Sequence, residues 1–96
     1  MTEICDWDDL VQRVGLFCKK FTEVPFTGTV TGKGQGKIIN GNKVGPWVVF
    51  WSNGQVMVQG NWKNGKRDGP WVWNKPDGTV DKEMTGTYKN GVKISD

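Results

Sequence analysis

Few side chains in this sequence could carry out catalysis or hold a metal ion. There is no histidine, and Cys5 and Cys18 are the only cysteines. A Cys/His zinc site and a Ser-His or Cys-His catalytic pair are therefore excluded. The carboxylates and hydroxyls form no visible pairing of nucleophile and base. The sequence predicts that the chain is not an enzyme and that it has no cofactor and no metal site.

A glycine-rich stretch at residues 32–36, GKGQG, superficially resembles a phosphate-binding loop. A phosphate loop ends in Gly-Lys-Ser/Thr and leads into a helix. Neither feature is present, so we reject a phosphate site here and interpret residues 32–36 as a flexible link.

The chain is instead rich in aromatic side chains, with six Trp, four Phe and one Tyr. Large aromatics dominate both protein cores and protein interfaces. Trp47 and Trp71 are expected to be core residues, whereas Trp51 and Trp73 lie near predicted hairpin tips, where core and interface roles are equally open. The residues predicted to contact a partner are Trp51, Trp73, Trp62, Phe50 and Met57.

These aromatics recur because the sequence repeats itself. Residues 36–55 read GKIINGNKVGPWVVFWSNGQ, and residues 60–79 read GNWKNGKRDGPWVWNKPDGT. A third copy starts at Gly86. A fixed period of this size is typical of repeat architectures, in which each unit packs on its neighbours. The residues that return 24 positions later are Gly36, Gly41, Gly45, Pro46, Trp47 and Gly54.

Composition and charge indicate one small all-β domain. The chain has 96 residues and 14 Gly, and segment 32–96 carries ten Lys or Arg against five Asp or Glu. This mildly basic balance is too dispersed for nucleic-acid binding.

Without a signal peptide or a membrane-spanning run, the protein is predicted to be cytoplasmic, with free thiols, although a disulfide between Cys5 and Cys18 stays open. The basic residues interpreted as solvated loop charges are Lys63, Lys66, Arg67 and Lys89.

Segment 1–35 is predicted to be a lead-in that packs on the repeats. Residues 6–13 suit two turns of helix, because Asp6 is a plausible N-cap and Trp7, Leu10 and Val11 share one helical stripe. Strands are predicted at residues 16–21 and 26–31. The apolar side chains expected to cover one face of the repeat sheet are Trp7, Leu10, Phe17, Phe21 and Phe26.

Segment 36–96 is predicted to be an antiparallel meander of hairpin repeats, with units at 36–59, 60–85 and 86–96. Turns are expected at 53–54, between 65 and 69, near 77–78 and at 90–91, with strands at 47–52, 55–63, 70–75 and 79–89. A two-residue turn at 53–54 would pair Trp51 with Val56 and lay Trp47 over Gly60.

Alternation along these strands predicts two faces. The second unit is two residues longer than the first after Gly78. If these residues are divided between the two sides of its turn, Trp71 lies over Gly86 and Trp73 lies opposite Met84. The face predicted to carry the tryptophans comprises Trp47, Val49, Trp51, Val56, Val58, Trp62, Trp71, Trp73, Met84 and Tyr88. The opposite face is predicted to carry Val48, Phe50, Met57 and Val72.

The unit GNWKNGKRDGPWVW followed by Asp-Gly resembles the MORN-repeat variant, a β-hairpin module, over residues 36–91. The lead-in motifs DLVQR, GLF and VPFTG, and the closing TGTYKNGVKISD, resemble bacterial proteins of the YwqK-type antitoxin family. At residues 38–39 the sequence has Ile-Ile where the family pattern has Phe-Lys or Tyr-Lys. At Trp51 and Trp73 it has Trp where Tyr is usual. The resemblance implies a non-catalytic protein-binding module, with an antitoxin acting on a toxin as its most specific form.

Two further expectations concern partners. The alternative to protein binding is lipid or membrane-surface binding, which the MORN name and the basic, Trp-rich repeats suggest, although no amphipathic helix or polybasic run supports it. The chain is also predicted to be a homodimer, because a short open meander has two exposed edges and apolar residues on both faces.

Overall fold

The computed structural model describes residues 3–96 and confirms a β-rich fold built mainly from antiparallel strands. The one helical element among these residues is a 3-10 turn at Trp7–Asp9. The strands are β1 (Glu3–Asp6), β2 (Leu10–Arg13), β3 (Leu16–Lys19), β4 (Gly28–Thr31), β5 (Gly34–Ile39), β6 (Asn42–Phe50), β7 (Val56–Lys63), β8 (Lys66–Trp73), β9 (Gly86–Lys89) and β10 (Val92–Ser95).

Eight of these strands form one sheet in the order β1-β4-β5-β6-β7-β8-β9-β10. Every neighbouring pair from β4 to β10 is antiparallel and consecutive in sequence, whereas β1 is parallel to β4. The strands β2 and β3 form a separate hairpin. The large sheet therefore runs continuously from the lead-in through the repeated units.

The predicted helix at residues 6–13 was wrong. Asp6 does cap a turn, since its carboxylate accepts the Asp8 backbone N–H at 2.9 Å, but the turn ends at Asp9 and Leu10 enters β2. Val14 and Gly15 have φ of 52° and 79° and close a tight hairpin to β3. A helix of two turns is marginal alone, so pairing with β3 satisfies more of the backbone.

Three tight turns set the register of the repeats. In each, an Asn and the following Gly both have positive φ, as a type I′ hairpin requires. The predicted turn at 90–91 is confirmed, whereas the one between 65 and 69 proves to be 64–65, with β8 beginning directly after it. The three turns are Asn40-Gly41, Asn64-Gly65 and Asn90-Gly91.

The turn at Asn53-Gly54 has a different geometry from the one predicted. Only Gly54 has positive φ, and the Trp51 N–H donates to the Gln55 carbonyl at 2.8 Å, which closes a three-residue loop. The register shift that follows pairs Val56 with Phe50 rather than with Trp51. An Asn side chain that accepts the N–H two residues on, as here, stabilises such a loop.

The backbone pairings Trp47–Gly60 and Trp71–Gly86 were correctly predicted, but neither indole covers that glycine. Each indole lies instead over the glycine of the preceding strand, Gly36 for Trp47 and Gly60 for Trp71. The cause is a β-bulge in which the three residues Gly-Pro-Trp stand opposite one glycine. The bulge brings the indole N–H to a backbone carbonyl on that strand, at 2.9 Å and 3.0 Å respectively.

The main core lies where the lead-in packs on the first strands of the sheet. Ile38 and Val30 are its least exposed members, at 0% and 1%. Phe21 was expected in this cover but is 97% exposed, because it has left-handed φ in the turn after β3. The core comprises Cys5, Phe26, Val30, Ile38 and Trp47, with Trp7, Leu10, Phe17 and Trp62 packed against it.

Several other element boundaries differ from prediction, since the strands predicted at 47–52 and 70–75 are Asn42–Phe50 and Lys66–Trp73. Gly32 lies in a turn and β5 begins at Gly34, so residues 32–36 are not a flexible link. The predicted strand 79–89 is confined to 86–89, because residues 74–85 loop back and hydrogen-bond to the end of β8. The Met84 carbonyl accepts a hydrogen bond from the Tyr88 hydroxyl at 2.6 Å, and Met84 is not the cross-strand partner of Trp73.

Candidate functional site, a groove of aromatic rings and two cations

The repeat places a basic side chain at the same position of two successive hairpins. Lys43 and Arg67 are 24 residues apart, and each lies two residues after the glycine of an Asn-Gly turn. Lys43 pairs across strands with Ile38, and Arg67 pairs with Trp62. Because side chains alternate along a strand and the register is repeated, both cations reach the same face of the sheet.

Lys43 lies among four aromatic rings. The distances from its Nζ to the ring centroids are 5.0 Å for Trp7, 5.2 Å for Phe17, 5.1 Å for Trp47 and 5.1 Å for Trp62. Two of these rings belong to the lead-in and two to the sheet. Ring faces attract cations at such distances, so Lys43 helps to hold the lead-in against the sheet.

Arg67 has an equivalent environment one hairpin further on. The distances from its Cζ to the ring centroids are 5.0 Å for Trp73, 5.6 Å for Trp62, 5.7 Å for Trp71 and 5.8 Å for Tyr88. The indole of Trp62 is therefore shared by the two cations. The Nε of Arg67 is buried and has no hydrogen-bond acceptor within the described chain.

No carboxylate compensates either charge within residues 3–96. The two ion pairs found there lie elsewhere, between Lys19 and Glu3 and between Lys93 and Asp96. Partial burial lowers the pKa of Lys43, and the charge of Arg67 lowers that pKa further. The rings act in the opposite direction, because their faces favour the protonated amine.

The two cations lie along an open groove, which we call the cation groove. It consists of a cavity of about 100 Å³ between Lys43 and Arg67 and a second of about 380 Å³ that extends from Lys43 toward the lead-in. Trp62 lines both cavities, and Gln12 lines the second. The side chains that line the two cavities include no Asp or Glu, so the groove is positive. The walls of the smaller cavity are largely aromatic, and Gln12 and Asn42 add polar groups to the larger one.

The five predicted contact residues fall into separate places. Trp62 and Trp73 line the cation groove and are half-buried. Trp51 lies outside it, where its indole N–H donates to the Asn74 carbonyl at 2.9 Å. Phe50 and Met57 are half-buried at the far ends of β6 and β7, and neither lines the groove. The structure thus brings together two of the five.

Sequence reasoning missed the two cations. Arg67 was predicted to be a solvated loop charge, which was wrong, because β8 begins at Lys66 and carries Arg67 onto the aromatic face. Lys43 was not singled out at all. A signal was present, since both basic residues occupy the same position of the repeat, four residues before the tryptophan of Gly-Pro-Trp.

Within residues 3–96 no three Cys, Asp or Glu side chains converge as metal ligands would. The same part of the chain has no helix with the length and apolarity needed to cross a membrane. The chain matches none of the protein-family models, curated protein sequences or solved structures with which it was compared.

Proposed function

We propose that this chain is a non-catalytic protein-interaction module of the MORN-variant kind, which binds a partner protein through the cation groove. The observation that carries this proposal is the placing of Lys43 and Arg67 among aromatic rings of which four, Trp7, Phe17, Trp62 and Trp73, are only half-buried. Tryptophan, tyrosine and arginine are the residues most enriched where binding energy concentrates in protein interfaces. An antitoxin-like role, with a toxin as the partner, is the most specific form of the proposal.

The scaffold beneath the groove is suited to binding without rearrangement. Trp47 and Trp71 are both 3% exposed, and each is fixed by a hydrogen bond from its indole to the neighbouring strand. Trp62 and Trp71 meet edge to face, with ring centroids 5.3 Å apart. The half-buried rings of Trp62 and Trp73 pack on the fixed indole of Trp71, so they lose little conformational entropy when a partner covers them.

Affinity capture from the native host tests the proposal, with the purified chain as bait and bound proteins quantified by mass spectrometry. Trp73→Ala removes a ring from the groove, and Val72→Ala is its matched control, because Val72 is the preceding residue of β8 and lines a cavity on the opposite face. We expect a protein that the unaltered chain and Val72→Ala retain and that Trp73→Ala loses. Loss with Val72→Ala alone would place the contact on the other face.

Lipid binding is the competing outcome and has its own measurement. Sedimentation of the chain with anionic phospholipid vesicles, but not with zwitterionic ones, together with no specific protein capture, would replace the protein-binding proposal by the lipid alternative. Capture of no protein and binding to neither vesicle would contradict both.

A further inference from the structure

We propose that the cation groove is a carboxylate-binding site, which takes an acidic side chain of the partner protein between Lys43 and Arg67. This inference rests on the proposed function and states the chemistry of the partner. It concerns the charged side chains of the two cations, since only their backbones take part in the strand pairing.

The charge of the groove is complementary to that of an acidic side chain. Neither Lys43 nor Arg67 is paired with a carboxylate among residues 3–96, and no acidic side chain lines the groove. A partly buried charge without a counter-ion is unfavourable, and an incoming anion would remove that cost. The ring faces are already occupied by the two cations, so the groove would repel a cationic ligand rather than enclose it.

The guanidinium of Arg67 is not fully satisfied by the described chain. Its Nε is buried without an acceptor there, although buried donors are normally satisfied. Because this Nε is enclosed, a ligand would meet the outer N–H groups of the guanidinium. A guanidinium presents a planar fork of N–H groups that matches the two oxygens of a carboxylate. The cavity beside it has a volume of only about 100 Å³ and aromatic walls, which suits a planar carboxylate with an aliphatic stem.

Both cations can act on one ligand. Lys43 and Arg67 line the same cavity, and their charges are close enough for that of Arg67 to lower the pKa of Lys43. A bound carboxylate would reverse this effect and raise the pKa of Lys43, because the opposite charge favours the protonated amine.

A peptide titration tests the inference. The probes are a synthetic glutamate-glycine repeat peptide, its glutamine-glycine counterpart and inorganic phosphate, followed by calorimetry and by NMR of the tryptophan indole N–H groups. We expect the glutamate peptide alone to bind and to shift the indole signals of Trp62 and Trp73. Arg67→Gln should weaken binding about tenfold or more, the usual effect of losing a charged hydrogen bond.

Lys63→Gln is the matched control, because it removes the same charge from an exposed side chain at the end of β7. Its affinity should stay within about twofold of the unaltered chain, as for a screened surface charge. Arg67→Lys keeps the charge but loses the fork and should bind with intermediate affinity; it also serves if Arg67→Gln fails to fold by circular dichroism.

Three results would overturn the inference: no binding of the glutamate peptide, equal weakening by Lys63→Gln, or competition by phosphate at the same indole signals with higher affinity. The failure of this inference is distinguishable from failure of the proposed function. If host-protein capture is lost with Trp73→Ala but retained with Arg67→Gln, the protein-binding role stands and the carboxylate site does not.

Discussion

The indole of Trp71 lies directly over the backbone of Gly60, and its Nε1 donates to the carbonyl of the next residue, Asn61, at 3.0 Å. Trp47 has the same relationship to Gly36 and donates to Lys37 at 2.9 Å. In both places the indole occupies the position that a β-carbon on the glycine would take. One structural unit is therefore formed by the Gly-Pro-Trp segment together with the glycine that precedes the tryptophan of that segment by 11 residues.

Gly60→Ala should destabilise the fold, although Gly→Ala in a strand ordinarily stabilises it. The added methyl group would overlap the ring of Trp71, which is only 3% exposed and cannot move outward without losing its hydrogen bond. We expect a loss of about 1–3 kcal/mol in the free energy of unfolding, as for other overpacked sites. Urea denaturation measures it.

Gly36→Ala should cost a similar amount, because Trp47 covers Gly36 in the same way. The control is Gln59→Ala, an exposed neighbour of Gly60 on β7, with an expected change of less than about 0.5 kcal/mol. A neutral Gly60→Ala would show that the indole is free to leave the glycine.

Truncation of the tryptophans should separate into two classes. Trp47→Ala and Trp71→Ala should each cost about 3–5 kcal/mol, the range for large buried aromatics. Trp51 and Trp73 are only half-buried, so their alanine variants should cost less in the isolated chain. Equal losses at all four sites in denaturant titrations would contradict this division.

Much of the fold could be predicted because the strong signals are local. The backbone pairing of Trp47 with Gly60, derived from a two-residue turn at 53–54, is present because a register shift between Val49 and Phe50 compensates for the longer loop. The strand over which the Trp47 indole lies could not be predicted. It depends on the β-bulge opposite Gly36, which is a feature of the pairing between β5 and β6 and not of either strand alone. The three-residue loop ending at Gly54 could not be predicted either. Asn53 does not adopt positive φ, unlike the other three Asn residues that precede a glycine.

The errors at the lead-in and at Arg67 share one physical cause. The segment beginning at Asp6 has a helical apolar pattern at Trp7, Leu10 and Val11, and pairing of residues 10–13 with β3 outweighs it. Arg67 follows an Asn-Gly pair, which indicates a solvated turn, and only the start of β8 at Lys66 places its side chain among rings. In both places tertiary contacts outweigh the local sequence preference.

Lys43 should make stability depend on pH in the alkaline range. Its pKa is lowered below the ordinary 10.5 by burial and by the charge of Arg67. Between the folded-state pKa and 10.5 the unfolded chain binds the proton that the folded chain has released. The free energy of unfolding therefore rises with pH across that window, through this group.

Chemical denaturation of the unaltered chain and of Lys43→Met over that window measures this contribution. The unaltered chain should gain stability relative to Lys43→Met as pH rises toward 10.5. Lys89→Met is the control, since Lys89 is exposed, and its curve should run parallel to that of the unaltered chain. Parallel curves for Lys43→Met as well would show that the rings hold the amine protonated throughout.

The two thiols should react slowly in the native state. Cys18 is 1% exposed and Cys5 is 6% exposed, and both are free. Burial raises the pKa of Cys5, and the charges of Asp9 and Asp6 raise it further, so less of the reactive thiolate is present. We expect labelling by a disulfide reagent to accelerate strongly on adding denaturant, with Cys18→Ser reporting on Cys5 alone. Rapid labelling of both thiols without denaturant would contradict this.

Self-association should occur through an edge of the large sheet. The outer edges of β1 and β10 have no strand partner within residues 3–96, and unpaired edges are templates for pairing with another chain. Apolar side chains flank both, since Ile4 is 68% exposed, Val92 is 63% exposed and Ile94 is 60% exposed. A second copy paired edge to edge would satisfy the free backbone groups and bury these side chains, and a two-fold axis makes that contact self-complementary.

We therefore expect a homodimer by sedimentation equilibrium at micromolar concentration. Ile94→Lys should shift the equilibrium toward monomer, because a charge on an edge strand opposes pairing with another chain. The matched control is Val24→Lys, which places the same charge on a side chain that is 73% exposed in a loop outside both edge strands. If the unaltered chain remains a single species of 10.8 kDa across the concentration range, the exposed edges do not drive association and the dimer is wrong. If both variants dissociate equally, the added charge itself, and not its position on β10, weakens association.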